Sequence, residues 1–263
     1  MEVSRRSFTA AGAGTGVLAA FGWPPDEVTS WAVDLLSGRV TGHRPDLPRP
    51  VLTLPAGPAL AALLRERGTG VLDERVRYDA GDLVGSTPVC GWHLQTGMTV
   101  AGLGDAALRR GDATATNLLV LRAGGAAAVT GFCRAIGDRR TRIDRRAPDS
   151  CTAAPWDPRD TTTTRALALG WGTLLLGEAL PPAARYRFAD LLPTVRVRGG
   201  WSLTHAVASG RYGTAALVGT ARRGRRGVLV AATVRAGQPA QDGSRAAVTR
   251  VVETLLRGLD STW

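Results

Sequence analysis

The chain has 263 residues, 44% of them hydrophobic, and 33 basic against 22 acidic side chains give a formal net charge of +11. That is enough apolar material for one packed core, while 33 Gly and 15 Pro scattered without a period, and only 5% aromatic residues, exclude collagen-like, coiled-coil and wholly disordered chains. There is no Lys, so every basic residue is Arg, and chemistry that needs an amine as base, Schiff-base partner or phosphate ligand is excluded.

In chain order, Ser4-Arg5-Arg6-Ser7-Phe8-Thr9 precedes a small apolar run from Ala10 to Phe21 and then Trp23-Pro24-Pro25. This resembles a twin-arginine export signal over residues 1–24. The glycines within it, Gly12, Gly14 and Gly16, do not form a dinucleotide-binding pattern. No other stretch approaches the roughly 18 consecutive apolar residues of a membrane span. The expectation is therefore an exported protein, extracellular, periplasmic or in the cell envelope, with no transmembrane span after processing.

Alternation then predicts a β-hairpin, Trp31 to Leu36 and Arg39 to His43 around Ser37-Gly38. A helix is predicted over Ala59 to Arg67, ended by Gly68. Apolar residues at helical spacing predict further helices over 101–109, 116–122, 126–136, 165–176 and 183–191. Strands return over 201–208, 214–220 and 228–234, and 245–257 closes as an amphipathic helix with Val248, Val251, Val252 and Leu255 on one face. The pattern predicts an α/β (α+β) fold: an antiparallel sheet shared by both ends of the chain and flanked by helices, with an inserted all-helical lobe. One domain over 25–263 is expected, its α/β lobe at about 25–50 and 195–263 and its helical lobe at about 51–194.

The Cys (90, 133, 151) and His (43, 93, 205) residues lack metal-ligand spacing, so no metal and no cofactor is expected. Two Arg clusters, 139–146 and 222–226, carry no interleaved aromatics. They are read as solvated faces rather than a nucleic-acid surface.

Several segments share one likeness. Leu72-Asp73-Glu74-Arg75-Val76-Arg77-Tyr78-Asp79-Ala80-Gly81-Asp82-Leu83-Val84, Leu94-Gln95-Thr96-Gly97-Met98-Thr99-Val100, Thr141-Arg142-Ile143-Asp144-Arg145 through Arg159-Asp160-Thr161-Thr162-Thr163, and Gly200-Trp201 and Ser209-Gly210 with Tyr212-Gly213-Thr214 resemble, in order, segments of class A serine β-lactamases. The resemblance implies that family's fold, with an Ω-loop closed at its neck by Arg145 and Asp160. It also assigns positions to the family's catalytic motifs. The nucleophile and lysine of S-x-x-K fall on Thr53 and Ala56, and S-D-N falls on Gly111-Asp112-Ala113, followed by Asn117. The Ω-loop's E-P-x-x-N falls on Ala147-Pro148-Asp149-Ser150-Cys151, and K-T-G falls on Ala206-Val207-Ala208, before Ser209.

A serine β-lactamase needs an activated hydroxyl and a base for each of its two steps. Thr53 keeps a hydroxyl, but its neighbours in the motifs have lost the lysine, the shuttle serine, the glutamate and the cation that meets a substrate carboxylate. Pro55 and Pro58 put the geometry of Thr53 in question. Main-chain amides near Thr53 and Ala208 can still form an oxyanion hole. A replacement triad of Thr53, His205 and Asp112 is disfavoured, because strand alternation turns His205 away from the pocket that Ala206 faces, to the sheet surface. Asp112 reads as a brace for its turn. The expectation is a monomeric, catalytically impaired family member that binds a β-lactam, a peptidoglycan fragment or a protein partner. The alternative is a weak or altered β-lactamase using Thr53 or Cys151 as nucleophile.

Overall fold

The structure, a computed structural model, describes residues 27–152, 157–235 and 241–260, with side chains in the last helix from Arg245 onward. The export signal expected over residues 1–24 lies outside the described residues, as does any element preceding the first strand.

Strand β1 (Val28–Asp34) is buried along its whole length, which suits a central strand covered on both faces. Asp34 ends it: its Oδ1 accepts from the N–H groups of Leu36 and Ser37 at 2.8 and 3.1 Å, folding the chain into the turn that leads to β2 (Val40–His43). Strands β3 (Arg49–Pro50) and β6 (Thr161–Thr162) form a short ribbon, as do β4 (Arg75–Val76) and β5 (Met98–Thr99). The remaining strands are β7 (Thr194–Val197), β8 (Trp201–Ser209), β9 (Thr214–Arg223) and β10 (Arg226–Arg235). They join β1 and β2 in one antiparallel sheet ordered β2-β1-β10-β9-β8-β7. The exposed edge strand β7 is an element that the sequence pattern does not predict.

Helices α1 (Ala56–Arg67), α2 (Val100–Arg110), α3 (Ala113–Arg122), α4 (Ala126–Ala135), α5 (Thr164–Leu175) and α6 (Pro182–Asp190) lie between the outer strands in sequence. The last helix, α7 (Gln241–Asp260), covers the other face of the sheet. Alternation along β8 divides the core in two. Ala206 and Ala208 face the helical side with Leu52, Leu60 and Trp171, while Trp201 and Leu203 face α7 with Val248, Val252 and Leu256.

Helix α1 starts at Ala56, earlier than the predicted Ala59. Pro58 therefore stands in the first turn, where backbone N–H groups have no intrahelical partner to lose. The expected disruption at Pro58 does not occur. The 222–226 Arg cluster is also not a purely solvated face. Arg223 and Arg226 stack 4.5 and 5.5 Å from the Trp201 ring and both bind Asp260, at 2.7 and 2.6 Å, tying the end of α7 to the sheet. Among the described residues no single helix is long and apolar enough to cross a membrane. Among them, too, no group of three or more His, Cys, Asp or Glu could hold a metal ion.

Candidate active-site cleft

The chain leading to Thr53 is fixed by the Ω-loop neck. Val51 N–H donates to the Asp160 carbonyl at 2.8 Å, and Arg49 and Pro50 pair with Thr162 and Thr161. Leu52 then adopts φ +55°, a left-handed conformation uncommon for a side chain of its size, and delivers Thr53 to the head of α1. Thr53 is 5% exposed.

Strand β8 closes on this segment. A Cβ on Gly210 would lie 2.5 Å from Leu52 Cδ2 and 2.9 Å from the Cys151 carbonyl oxygen, so only Gly allows the three chains to meet. Arg211 N–H also donates to the Cys151 carbonyl at 3.3 Å, bonding the Ω-loop to the β8–β9 turn. The structure thus brings together Thr53, Cys151 and the end of β8.

The Ω-loop is held from two sides. Asp160, 1% exposed, accepts from the N–H groups of Asp144 and Arg145 at 2.8 Å each and from Arg145 Nε at 2.6 Å. Its own N–H donates to Asp144 Oδ2 at 2.8 Å, and Arg145 also reaches Asp157 at 3.1 Å. The hydrogen bond from Arg142 to Asp144 holds that carboxyl below its ordinary pKa. At the other side, Asn117 brackets Ala147: its Nδ2 donates to the Ala147 carbonyl at 2.8 Å, and its Oδ1 accepts from the Ala147 N–H at 2.9 Å. The side chain at 147 is a methyl group, buried.

Asp112 is fully buried and does the work of a brace. It caps α3 by accepting from Ala115 N–H at 2.8 Å, and it accepts from the N–H groups of Val89 and Cys90 at 2.9 and 3.0 Å. No hydrogen bond joins it to His205 among the described contacts. His205 does point to the side of β8 opposite Ala206, but the sheet surface there is covered by α7. The imidazole is 8% exposed rather than solvated, and burial lowers its pKa. Cys151 is poorly placed as a nucleophile. Burial pushes its thiol up to about 11, against the weak hydrogen bond with Ser150 Oγ at 3.8 Å and with the Asp160 carboxylate adding to the rise, so the thiolate is scarce at neutral pH.

One group is missed by the sequence reading. Arg245, on α7, donates from Nε to Ser209 Oγ at 2.9 Å and lies with its NH2 3.5 Å from the Arg110 carbonyl. A Cβ on Gly111 would sit 2.6 Å from that NH2. The expectation that the cleft lacks a cation is therefore corrected: a guanidinium stands between the α2–α3 turn and the end of β8. The only signal was an Arg at the start of an amphipathic helix, far from Ser209 in sequence. Among the described residues the cleft offers the buried Thr53 hydroxyl, the Cys151 thiol, Ser209, the Arg245 guanidinium and main-chain amides. Ala56, Gly111, Ala147 and Ala206 contribute only methyl groups or hydrogen.

A model of the β-lactamase enzyme family matches residues 17–201. Beta-lactamase AST-1 of Nocardia asteroides is 38% identical over 196 residues, covering 70% of this chain and 63% of that protein. A carbapenem-hydrolyzing β-lactamase KPC of Klebsiella oxytoca is 33% identical over 87% of this chain and 83% of its own length. This chain thus spans a little under two thirds of the Nocardia relative. Among solved structures, a β-lactamase from Burkholderia vietnamiensis superposes with a TM-score of 0.82 at 30% identity, covering 94% of this chain and all of that one. The chain belongs to the class A serine β-lactamase family.

Proposed function

We propose that this protein is a catalytically impaired member of its family that captures, without turning over, a carboxylate-bearing ligand: a β-lactam or a peptidoglycan fragment. The single observation that carries the reading is the side-chain inventory around Thr53. A hydroxyl becomes a nucleophile only with a positioned proton acceptor, and the loss of such a group typically forfeits roughly 10² to 10⁴ in rate. The Arg245 guanidinium, brought to the cleft by its bond to Ser209, carries donors and no acceptor. It suits a carboxylate, to which guanidinium groups bind in bidentate fashion. The main-chain amides near Thr53 and Ala208 supply a site for a ligand carbonyl. In this reading the protein is a monomer working outside the cytoplasmic membrane, delivered by the Arg5-Arg6 segment.

The experiment pairs hydrolysis of a chromogenic cephalosporin with intact-protein mass spectrometry after incubation with a penicillin. The expected result is a kcat far below the ordinary enzyme range of roughly 1 to 10³ per second, no covalent adduct, and saturable binding weakened by Arg245→Gln. Turnover within that range, abolished by Thr53→Ala, would overturn the reading.

A further inference from the structure

Next to the Ω-loop neck lies a cavity of about 290 Å³, between the neck and the end of the sheet where β9 begins and β10 finishes. None of Thr53, Asp112, Ser209 and Arg245 lines it, so it is separate from the cleft. Its described wall carries the guanidinium groups of Arg49, Arg145, Arg159 and Arg235 and the carboxylates of Asp157 and Asp160, an excess of two positive charges. Asp157 and Asp160 are engaged by Arg145, and Arg159 shares Asp157. The Arg159 side chain is half exposed, which marks the mouth. Arg235 enters from the sheet, its guanidinium 5.7 Å from the Tyr212 ring.

The inner wall adds a second, independent observation. In the β9–β10 ladder Thr214 pairs with Arg235 and Ala216 with Thr233, so alternation sets Thr214, Thr233 and Arg235 on one face. Thr214 and Thr233 are each 1% exposed and line the cavity, and neither hydroxyl has a hydrogen-bond partner among the described residues. A buried hydroxyl without a partner is unfavourable, and such groups in a folded protein are normally satisfied by something. Hydroxyl donors at the inner end and an excess of guanidinium charge around them make a complementary lining for an anion with several acceptor oxygens.

We propose that this cavity binds a small doubly charged oxyanion, a phosphate or phosphate monoester. The volume is at the lower end of that of ligand sites, so it accommodates the oxyanion with at most a small substituent. Two positive charges in excess match a dianion better than a carboxylate.

The test is calorimetric titration of the full chain with inorganic phosphate and with methyl phosphate, against acetate at equal ionic strength. Thr233→Val removes a hydroxyl at nearly constant shape and should fold at least as well as the parent. Arg235→Gln removes a charge, and Arg222→Gln, at the far end of β9, controls for general attraction to a basic protein. The expected result is one phosphate per chain, acetate at least ten times weaker, affinity reduced at least tenfold by Thr233→Val and by Arg235→Gln, and unchanged affinity in Arg222→Gln. Binding of methyl phosphate as tight as phosphate identifies the monoester as the ligand class, and its exclusion identifies the free ion. Equal weakening by Arg222→Gln and Arg235→Gln, or no binding of either phosphate with ordered water alone on the two hydroxyls, would overturn the proposal.

Discussion

The Ω-loop neck and the cleft it borders have kept very different inventories. At the neck both carboxylates are engaged: Asp160 takes two main-chain N–H groups and a guanidinium, and Asp144 and Arg145 answer from across the loop. In the cleft the corresponding motif positions end in a hydrogen or a methyl group, at Ala56, Gly111, Ala147 and Ala206. Asn117 stands at the border, and both ends of its amide are spent on the backbone of residue 147, whose side chain has nothing left to position. The difference teaches that the loop's shape rests on side-chain bonds to main chain and not on polar groups at these four positions. Buried polar groups that bond main chain are costly to remove singly, because each leaves its partners unsatisfied. At Ala56, Ala147 and Ala206 the small side chains are buried and carry no polar atom, so nothing there needs a partner.

The sharpest way to break this comparison is at the neck. Asp160→Asn takes the buried one of Arg145's two counter-charges, leaving Asp157, and sets an amide NH2 among the N–H donors that Asp160 accepts from, which together should cost about 3 kcal/mol. For a domain of this size that is a drop of roughly 6 to 12 °C in Tm. Calorimetry combined with limited proteolysis of the loop checks it, and an unchanged Tm with an unchanged cleavage rate would show the neck to be as dispensable as the cleft. A smaller effect is expected at the border: Asn117→Ala removes both bonds to Ala147 and should cost about 1 to 2 kcal/mol. Equilibrium urea unfolding measures it, and a cost under about 0.5 kcal/mol would detach Asn117 from the scaffold.

The smallest effect concerns the strand behind the cleft. Burial holds the folded-state pKa of His205 below its unfolded value of about 6.5. The unfolded chain therefore takes up the proton first. The stability linked to this group is complete above about pH 6.5 and declines as pH falls toward the folded-state pKa, by at most about 1.4 kcal/mol per pH unit. Unfolding midpoints measured from pH 7.5 to 5 should fall more steeply for the parent than for His205→Asn. Parallel curves would mean that the imidazole is solvated in the folded protein.

The anchors of the fold were legible because they are local and dense: thirteen consecutive residues from Leu72 to Val84 carry one recognisable pattern, and the neck residues Arg145 and Asp160 sit inside another. Strand alternation correctly turned His205 away from Ala206. It could not reveal that α7 covers that face, because packing between elements distant in sequence leaves no mark on a strand's own period. Pro58 was misread for the opposite reason: a helix breaker is a breaker only beyond the first turn, and the sequence does not say where the turn begins. Arg245 was invisible as a cleft residue, since only the closing of α7 on the sheet carries it from its own helix to Ser209. The edge strand β7 was missed because its exposed residues show no buried face to detect.

The pairing of β1 with β10 has a kinetic side. Val28 lies opposite Val234, so β1 finds this partner only after the whole helical lobe and the strands encoded between them have been made. At about 10 residues per second that wait is on the order of 20 s, and closing so long a loop adds an entropic barrier that local helices do not face. The helical lobe is free of that delay, because it is encoded between the two partners. During those seconds β1, buried along its whole length in the finished fold, has β2 to pair with on one edge and nothing on the edge that β10 will take. Its protection then rests on whatever holds the nascent chain, and any truncation before Arg226 would leave it permanently without its partner.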